Sequence, residues 1–171
     1  MRVKPEIKYG LLGALLLIIW TLTQYFAGFH TYHFAIAQYT GYGNFLIVFI
    51  CLWFGLKEKS RDYKGQFSVR RGVKESMYQL FITASLASLF MFLYDYKINS
   101  LWVEEMVTWQ RQNSSSFSLN LFLANDPHAE AIILSNTETH LCLYFLGIVV
   151  VGASMAFMIS AMISKSKPSN A

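Results

Sequence analysis

Four long apolar runs, at about 9–29, 36–56, 77–94 and 140–163, dominate the chain, and the polar residues gather between them. Each has the length that an α-helix rising about 1.5 Å per residue needs to cross a hydrocarbon layer about 30 Å thick. The link at 30–35 is short, so the first two runs are predicted to pack as an antiparallel hairpin. The segments 57–74 and 98–138 are longer and carry most of the remaining detail.

The segment 57–74 holds half of the lysines and arginines. Loops on the cytoplasmic side of a membrane are enriched in these residues near the spans, and that bias sets orientation. With Arg2, Lys4, Lys8, Lys165 and Lys167, twelve of the fourteen basic residues fall on one side, and Lys97 and Arg111 on the other. The predicted topology therefore has both termini cytoplasmic, with one small and one large loop outside. Gly65-Gln66 punctuates the basic segment, and Ser68 is placed to cap a helix that starts among the headgroups and continues into the third span. A signal peptide would have an apolar region of about 7–15 residues ending in small residues. The run 9–29 is longer and offers Tyr25 and Ala27 at its end, so it reads as a retained span.

The outer segment 98–138 is too long for a simple turn. Trp102, Met106 and Trp109 recur at helical spacing, with Glu104 and Glu105 turned elsewhere, which predicts an amphipathic helix lying in the interface with its tryptophans toward the membrane. After the polar break at 113–116, Phe117, Leu119, Leu121 and Leu123 alternate as in a short strand or an extended crossing. Asp126-Pro127 then reads as the start of a short helix through Ile133 or Leu134. The lysine-rich tail after the last span is expected to fray.

Composition changes this picture little: 54% of the residues are hydrophobic and the formal charge is +4. Because the basic residues flank apolar spans, anionic lipid headgroups are their expected counter-charge, and no nucleic-acid partner is expected. Cys51 and Cys142 belong to opposite ends of the spans, beyond the reach of a disulfide.

The small residues form rows: Gly152, Ala156 and Ser160 on the last span, Gly10 and Ala14 on the first, Ala84 and Ser88 on the third. Such rows let helices approach closely, either within one bundle or against a second copy or a partner protein. Away from the span ends no run contains Asp, Glu, Lys or Arg, the residues with which transporters and proton pumps usually work at mid-membrane. Gln24, Asn44 and Gln79 are the intramembrane polar candidates, each explicable by hydrogen bonding between helices. Asp95, flanked by Tyr94 and Tyr96 at a span end, is the most suggestive acid, with an ion pair to nearby Lys97 as its simplest explanation.

All four histidines, His30, His33, His128 and His140, fall on the outer side with Asp95, Glu104, Glu105, Asp126, Glu130 and Glu138. They would make a zinc site or a titrating cluster if three converged, and a solvated surface otherwise. The chain carries no Ser-His-Asp order, phosphate loop, Cys-x-x-Cys pair or dinucleotide-binding glycine pattern, so neither a nucleophile nor a cofactor can be named.

The run from Lys8 to Gly13, the entry Gly65-Gln66-Phe67-Ser68 with Gly72 following, the alanine- and serine-rich third span, and a long outer segment before a last span ending in lysines carry a resemblance. The chain resembles an uncharacterised family of small four-span inner-membrane proteins widespread in Bacteroidota, a domain of unknown function. Members often have Pro-Asp after the third span and then a Glu- and Met-rich helix, where this chain has Asn99-Ser100 and a serine run. The resemblance implies a fold and a location, and no activity.

The expectation is one all-α membrane domain over 1–171, with four transmembrane helices, both termini inside, and an amphipathic helical segment between the third and fourth spans. The expected function is a non-enzymatic accessory or scaffold subunit of an envelope complex in the inner membrane. The alternative is a small transporter or lipid-handling protein with its site among Gln24, Asn44, Gln79 and Asp95. Trp102, Met106, Trp109, Gly152, Ala156 and Ser160 are the candidate contacts to a partner or a second copy.

Overall fold

The computed structural model describes residues 3–63, 67–102, positions 105, 108, 109 and 112, and 137–165. The first apolar run folds as α1 (Pro5–Phe26). Proline opens it where the missing N–H has no partner to lose. It stops at Gly28, whose φ of 75° is open to glycine and strained for other residues. The Gly28 carbonyl then accepts the N–H groups of Thr31, Tyr32 and His33, folding 28–33 into the tight turn that carries His30.

The second run, expected as one span over 36–56, is divided at Gly41 into α2 (Phe34–Thr40) and α3 (Tyr42–Asp62). Trp20 supplies a physical reason. Its indole Nε1 donates to the Thr40 carbonyl at 3.2 Å, and the Asn44 N–H bonds instead to Gly41 O. Gly43 makes room for this indole, since a Cβ there would lie 2.7 Å from ring carbons.

α4 (Val69–Leu93) begins as Ser68 foretells, its side chain accepting from the Arg71 N–H at 3.4 Å. It continues into a π-helical turn, Tyr94–Ile98. The last helix is α5 (Thr137–Lys165). Among the described residues there is no strand. Among the described residues four helical segments are long and apolar enough to cross a membrane: Pro5–Phe26, Phe34–Asp62, Val69–Ile98 and Glu138–Ser164. Each extends beyond its apolar run at one or both ends, because a helix continues through polar residues that the run, by definition, excludes.

α3 and α4 each pack against both α1 and α5, with α4 making the broadest contacts. Leu17, Leu52, Leu56, Leu80, Ala84 and Ile159 fill the middle, all 1% exposed or less. Gly152, Ala156 and Ser160 lie in the seam between α5 and α4, with Gly152 against Leu80 and Ser160 against Gly72. On the other side of α4, the Thr83 hydroxyl donates to Gly10 O at 3.0 Å, so α1 and α4 approach through small residues too. Outward, Leu15, Ile19, Leu46, Leu89, Val150 and Phe157 are half exposed or nearly so. An apolar surface distributed around the whole bundle suits acyl chains, whereas in water it would aggregate.

Several expectations fall outside the described residues: the Gly65-Gln66 break, Glu104, Met106, Arg111, the alternating stretch at 117–123, the Asp126-Pro127 helix start, His128, Glu130 and the tail beyond 165.

Candidate functional site

The turn at 28–33, the π-helical turn, Trp102 and the first turn of α5 converge at one end of the bundle. In the π-helical turn the Asn99 N–H reaches back five residues to the Tyr94 carbonyl at 2.9 Å, and such widened turns are frequent at functional sites. Consecutive residues Tyr94 and Asp95 are thereby both withdrawn from solvent, at 0% and 5% exposure.

Two hydrogen-bond sets meet there. In the first, His30 Nε2 lies 3.2 Å from Gln24 Oε1, and His30 Nδ1 lies 2.7 Å from the Tyr94 hydroxyl. An amide oxygen only accepts, so Nε2 carries the proton and the Tyr94 hydroxyl donates to Nδ1. Asn99 Nδ2 donates to that hydroxyl at 3.4 Å and to His30 O at 3.2 Å, and Thr40 Oγ1 donates to Gln24 Oε1 at 2.8 Å. Both ring nitrogens of a neutral His30 are thus engaged. In the second set, Asp95 Oδ1 accepts from the Trp102 indole at 2.7 Å and Oδ2 accepts from His140 Nδ1 at 3.2 Å. The sets are joined by stacking: the His30 and Trp102 rings lie 4.8 Å apart at 20°, and His140 meets Trp102 edge-on at 5.4 Å.

Burial pushes His30 down to about 4, against the opposing pull of the Asp95 charge. The unfolded histidine takes its proton near pH 6.5, so between these values the unfolded state binds more protons and stability falls as pH falls. The loss over the whole window is about 3 kcal/mol. Thermal melts from pH 7 to pH 4 should fall more steeply for the wild type than for His30→Gln. Parallel curves would show that His30 titrates normally.

Two expectations are corrected here. Asp95 pairs with Trp102 and His140 and not with Lys97, whose ammonium lies 4.8 Å from the centre of the Tyr96 ring. Trp102 is turned into the bundle end, 7% exposed, and not toward the membrane, because a buried carboxylate and a histidine face are there to receive it. Trp109 lies 6.3 Å from Phe34 and, with Leu101, Glu105, Thr108 and Gln112, lines an open cleft of about 460 Å³.

Gln24 belongs to the first hydrogen-bond set. Gln79 is buried at 3% exposure in the middle of α4, its amide oxygen against Gly55. Asn44 is half-buried, and its Oδ1 finds no hydrogen-bond partner among the described residues. The four polar candidates therefore occupy three separate places. Sequence reasoning assigned His30 and His140 to loops and span ends and overlooked Tyr94, Asn99 and Thr40. Only the Tyr94-Asp95-Tyr96 triplet hinted at them. Among the described residues no group of three or more His, Cys, Asp or Glu side chains comes together as metal ligands would. The hydrogen bonds and ring contacts of this arrangement fasten four stretches of chain together.

A family described as protein of unknown function (DUF4199) matches residues 8–165. No curated protein and no solved structure matches the chain.

Proposed function

This chain belongs to the DUF4199 family of proteins of unknown function, and we propose that it is a multi-pass membrane protein serving as a non-enzymatic accessory or scaffold subunit of an envelope complex. The proposal places it in the inner membrane with both termini cytoplasmic, as the charge asymmetry of the sequence and its resemblance to four-span proteins of Bacteroidota suggest. One observation carries the functional part. Among the described residues Gln24, Asn44, Gln79 and Asp95 occupy three separate places, and Leu17, Leu52, Leu56, Leu80 and Ile159 are packed in one buried core cluster. A scaffold needs such a packed core, and the Asp95–Trp102–His140 set fastens the chain at Trp102 to the end of the bundle. With the Gly152, Ala156 and Ser160 row facing α4, the surfaces proposed for a partner are the outer segment around Trp109 and the exposed helix faces.

Purification of the full chain in mild detergent after crosslinking in cells should yield a discrete larger species with a reproducible membrane partner. A protein recovered only as a monomer, with crosslinking and without, would remove the proposal's support. Labelling of a cysteine placed near residue 62 by a membrane-impermeant reagent should require broken cells, and labelling in intact cells would reverse the topology.

The second reading, lipid handling, is favoured by the open cleft, whose lining combines the apolar Phe34, Leu101 and Trp109 with the polar Glu105, Thr108 and Gln112. Acyl chains copurifying in stoichiometric amount, and lost with Trp109→Ala, would select it.

A further inference from the structure

The charged side chains at the end opposite the His30–Asp95 site divide into two populations. Three carboxylates are engaged by lysines of neighbouring helices: the half-exposed Lys8 meets Glu58 at 2.9 Å, and the more buried Lys59 bridges Glu6 at 3.2 Å and Glu75 at 3.5 Å. The Tyr9 and Tyr63 hydroxyls donate to Glu58 at 3.0 Å and to Glu75 at 2.8 Å. The side chains of Lys59, Glu6 and Glu75 are 17%, 13% and 19% exposed, so this set ties α1, α3 and α4 together from within. Arg71 lies 5.4 Å from the centre of the Tyr63 ring.

The second population points outward. Lys4, Lys57, Arg61, Arg70 and Lys74 are exposed, and Asp62 is the exposed acid among them. Within the first set two lysines face three glutamates, and outside it the exposed rim of this end carries these five cations against one acid among the described residues. It adjoins apolar surface directly: Phe54, one turn before Lys57, is 51% exposed, and Tyr78, one turn after Lys74, is 55% exposed. Aromatic side chains beside cations, at the end of an apolar span, mark the depth of lipid headgroups.

We infer that Lys4, Lys57, Arg61, Arg70 and Lys74 form a collar that binds the phosphates of anionic phospholipids, while Lys8 and Lys59 hold the helix ends together and take no part in lipid selection. The partner is a lipid because the cations run into exposed apolar side chains that acyl chains cover, and guanidinium groups match phosphate oxygens geometrically. The inference goes beyond the scaffold reading and does not depend on which leaflet this end occupies.

The test separates the populations. The purified full chain is equilibrated in mixed micelles of equal dioleoylphosphatidylglycerol and dioleoylphosphatidylcholine, and the lipid retained on the protein is measured by mass spectrometry. The wild type should retain phosphatidylglycerol preferentially, and the preference should shrink with added salt. The combined variant Lys57→Gln, Arg61→Gln, Arg70→Gln and Lys74→Gln should lose at least about fivefold of it at an unchanged melting temperature. The pair Lys8→Gln and Lys59→Gln should melt lower and keep the preference. Equal retention of both lipids by the wild type, a preference insensitive to salt, or displacement of the lipid by millimolar inorganic phosphate overturns the inference. So does a folded four-site variant that selects as the wild type does.

Discussion

Asp95→Ala is expected to be among the most destabilising single substitutions at the outer end of the bundle. The carboxylate is 3% exposed and accepts from two donors, the Trp102 indole and His140. Alanine leaves the buried indole and the partly buried imidazole without their acceptor, at about 1–3 kcal/mol each. The combined loss is on the order of 2–6 kcal/mol. It should be read as a lower melting temperature in detergent, a red-shifted component of tryptophan fluorescence, and faster proteolysis between residues 99 and 136. Asp95→Asn retains an acceptor for the indole and should cost half as much or less. Lys97→Ala is the informative control, since Lys97 lies over Tyr96 and not beside the carboxylate. It should stay within about 0.5 kcal/mol of the wild type, as surface substitutions do. If Lys97→Ala melted as low as Asp95→Ala, the acid would be serving the ion pair that its sequence neighbour suggests.

The second large effect belongs to the α4–α5 seam. A Cβ at Gly72 would collide with the Ser160 hydroxyl and lie 2.7 Å from Ser160 Cβ and 2.8 Å from Phe67 Cζ. Gly72→Ala should therefore cost about 1–3 kcal/mol through overpacking, and Gly72→Leu still more. Removing the opposing side chain tests the contact: Ser160→Gly combined with Gly72→Ala should recover more than half of the loss, a coupling that separated sites do not show. Gly147 on the same α5 has no heavy atom within 4 Å of where its Cβ would stand. Gly147→Ala should be neutral or stabilise by up to about 1 kcal/mol, because glycine is a poor helix former. Equal damage at Gly72 and Gly147 would mean that the seam is not where the helices meet.

The contrast between these glycines shows how far the chain can be read without coordinates. The runs at 9–29, 36–56, 77–94 and 140–163 mark the four long helices, since burial in an apolar solvent requires uninterrupted apolar sequence, whatever the neighbours are. Ser68 announces the start of α4 for a similarly local reason, as a cap acts on its own first turn. By contrast, the division of the second span at Gly41 depends on Trp20, twenty residues earlier, taking the Thr40 carbonyl.

What the sequence determined by itself is the number of long apolar helices, their approximate limits, the basic character of one end, and a family without an assigned activity. What only the tertiary structure decided is which polar groups meet. His30, Tyr94, Trp102 and His140 come from separate stretches of the chain, and Trp102 turns inward to Asp95 although its spacing on a helix suits an interfacial face. Apolar periodicity is a property of neighbouring residues and is written along the chain. A hydrogen bond between residues 45 or 64 positions apart has no local signature, because its partners are selected by packing.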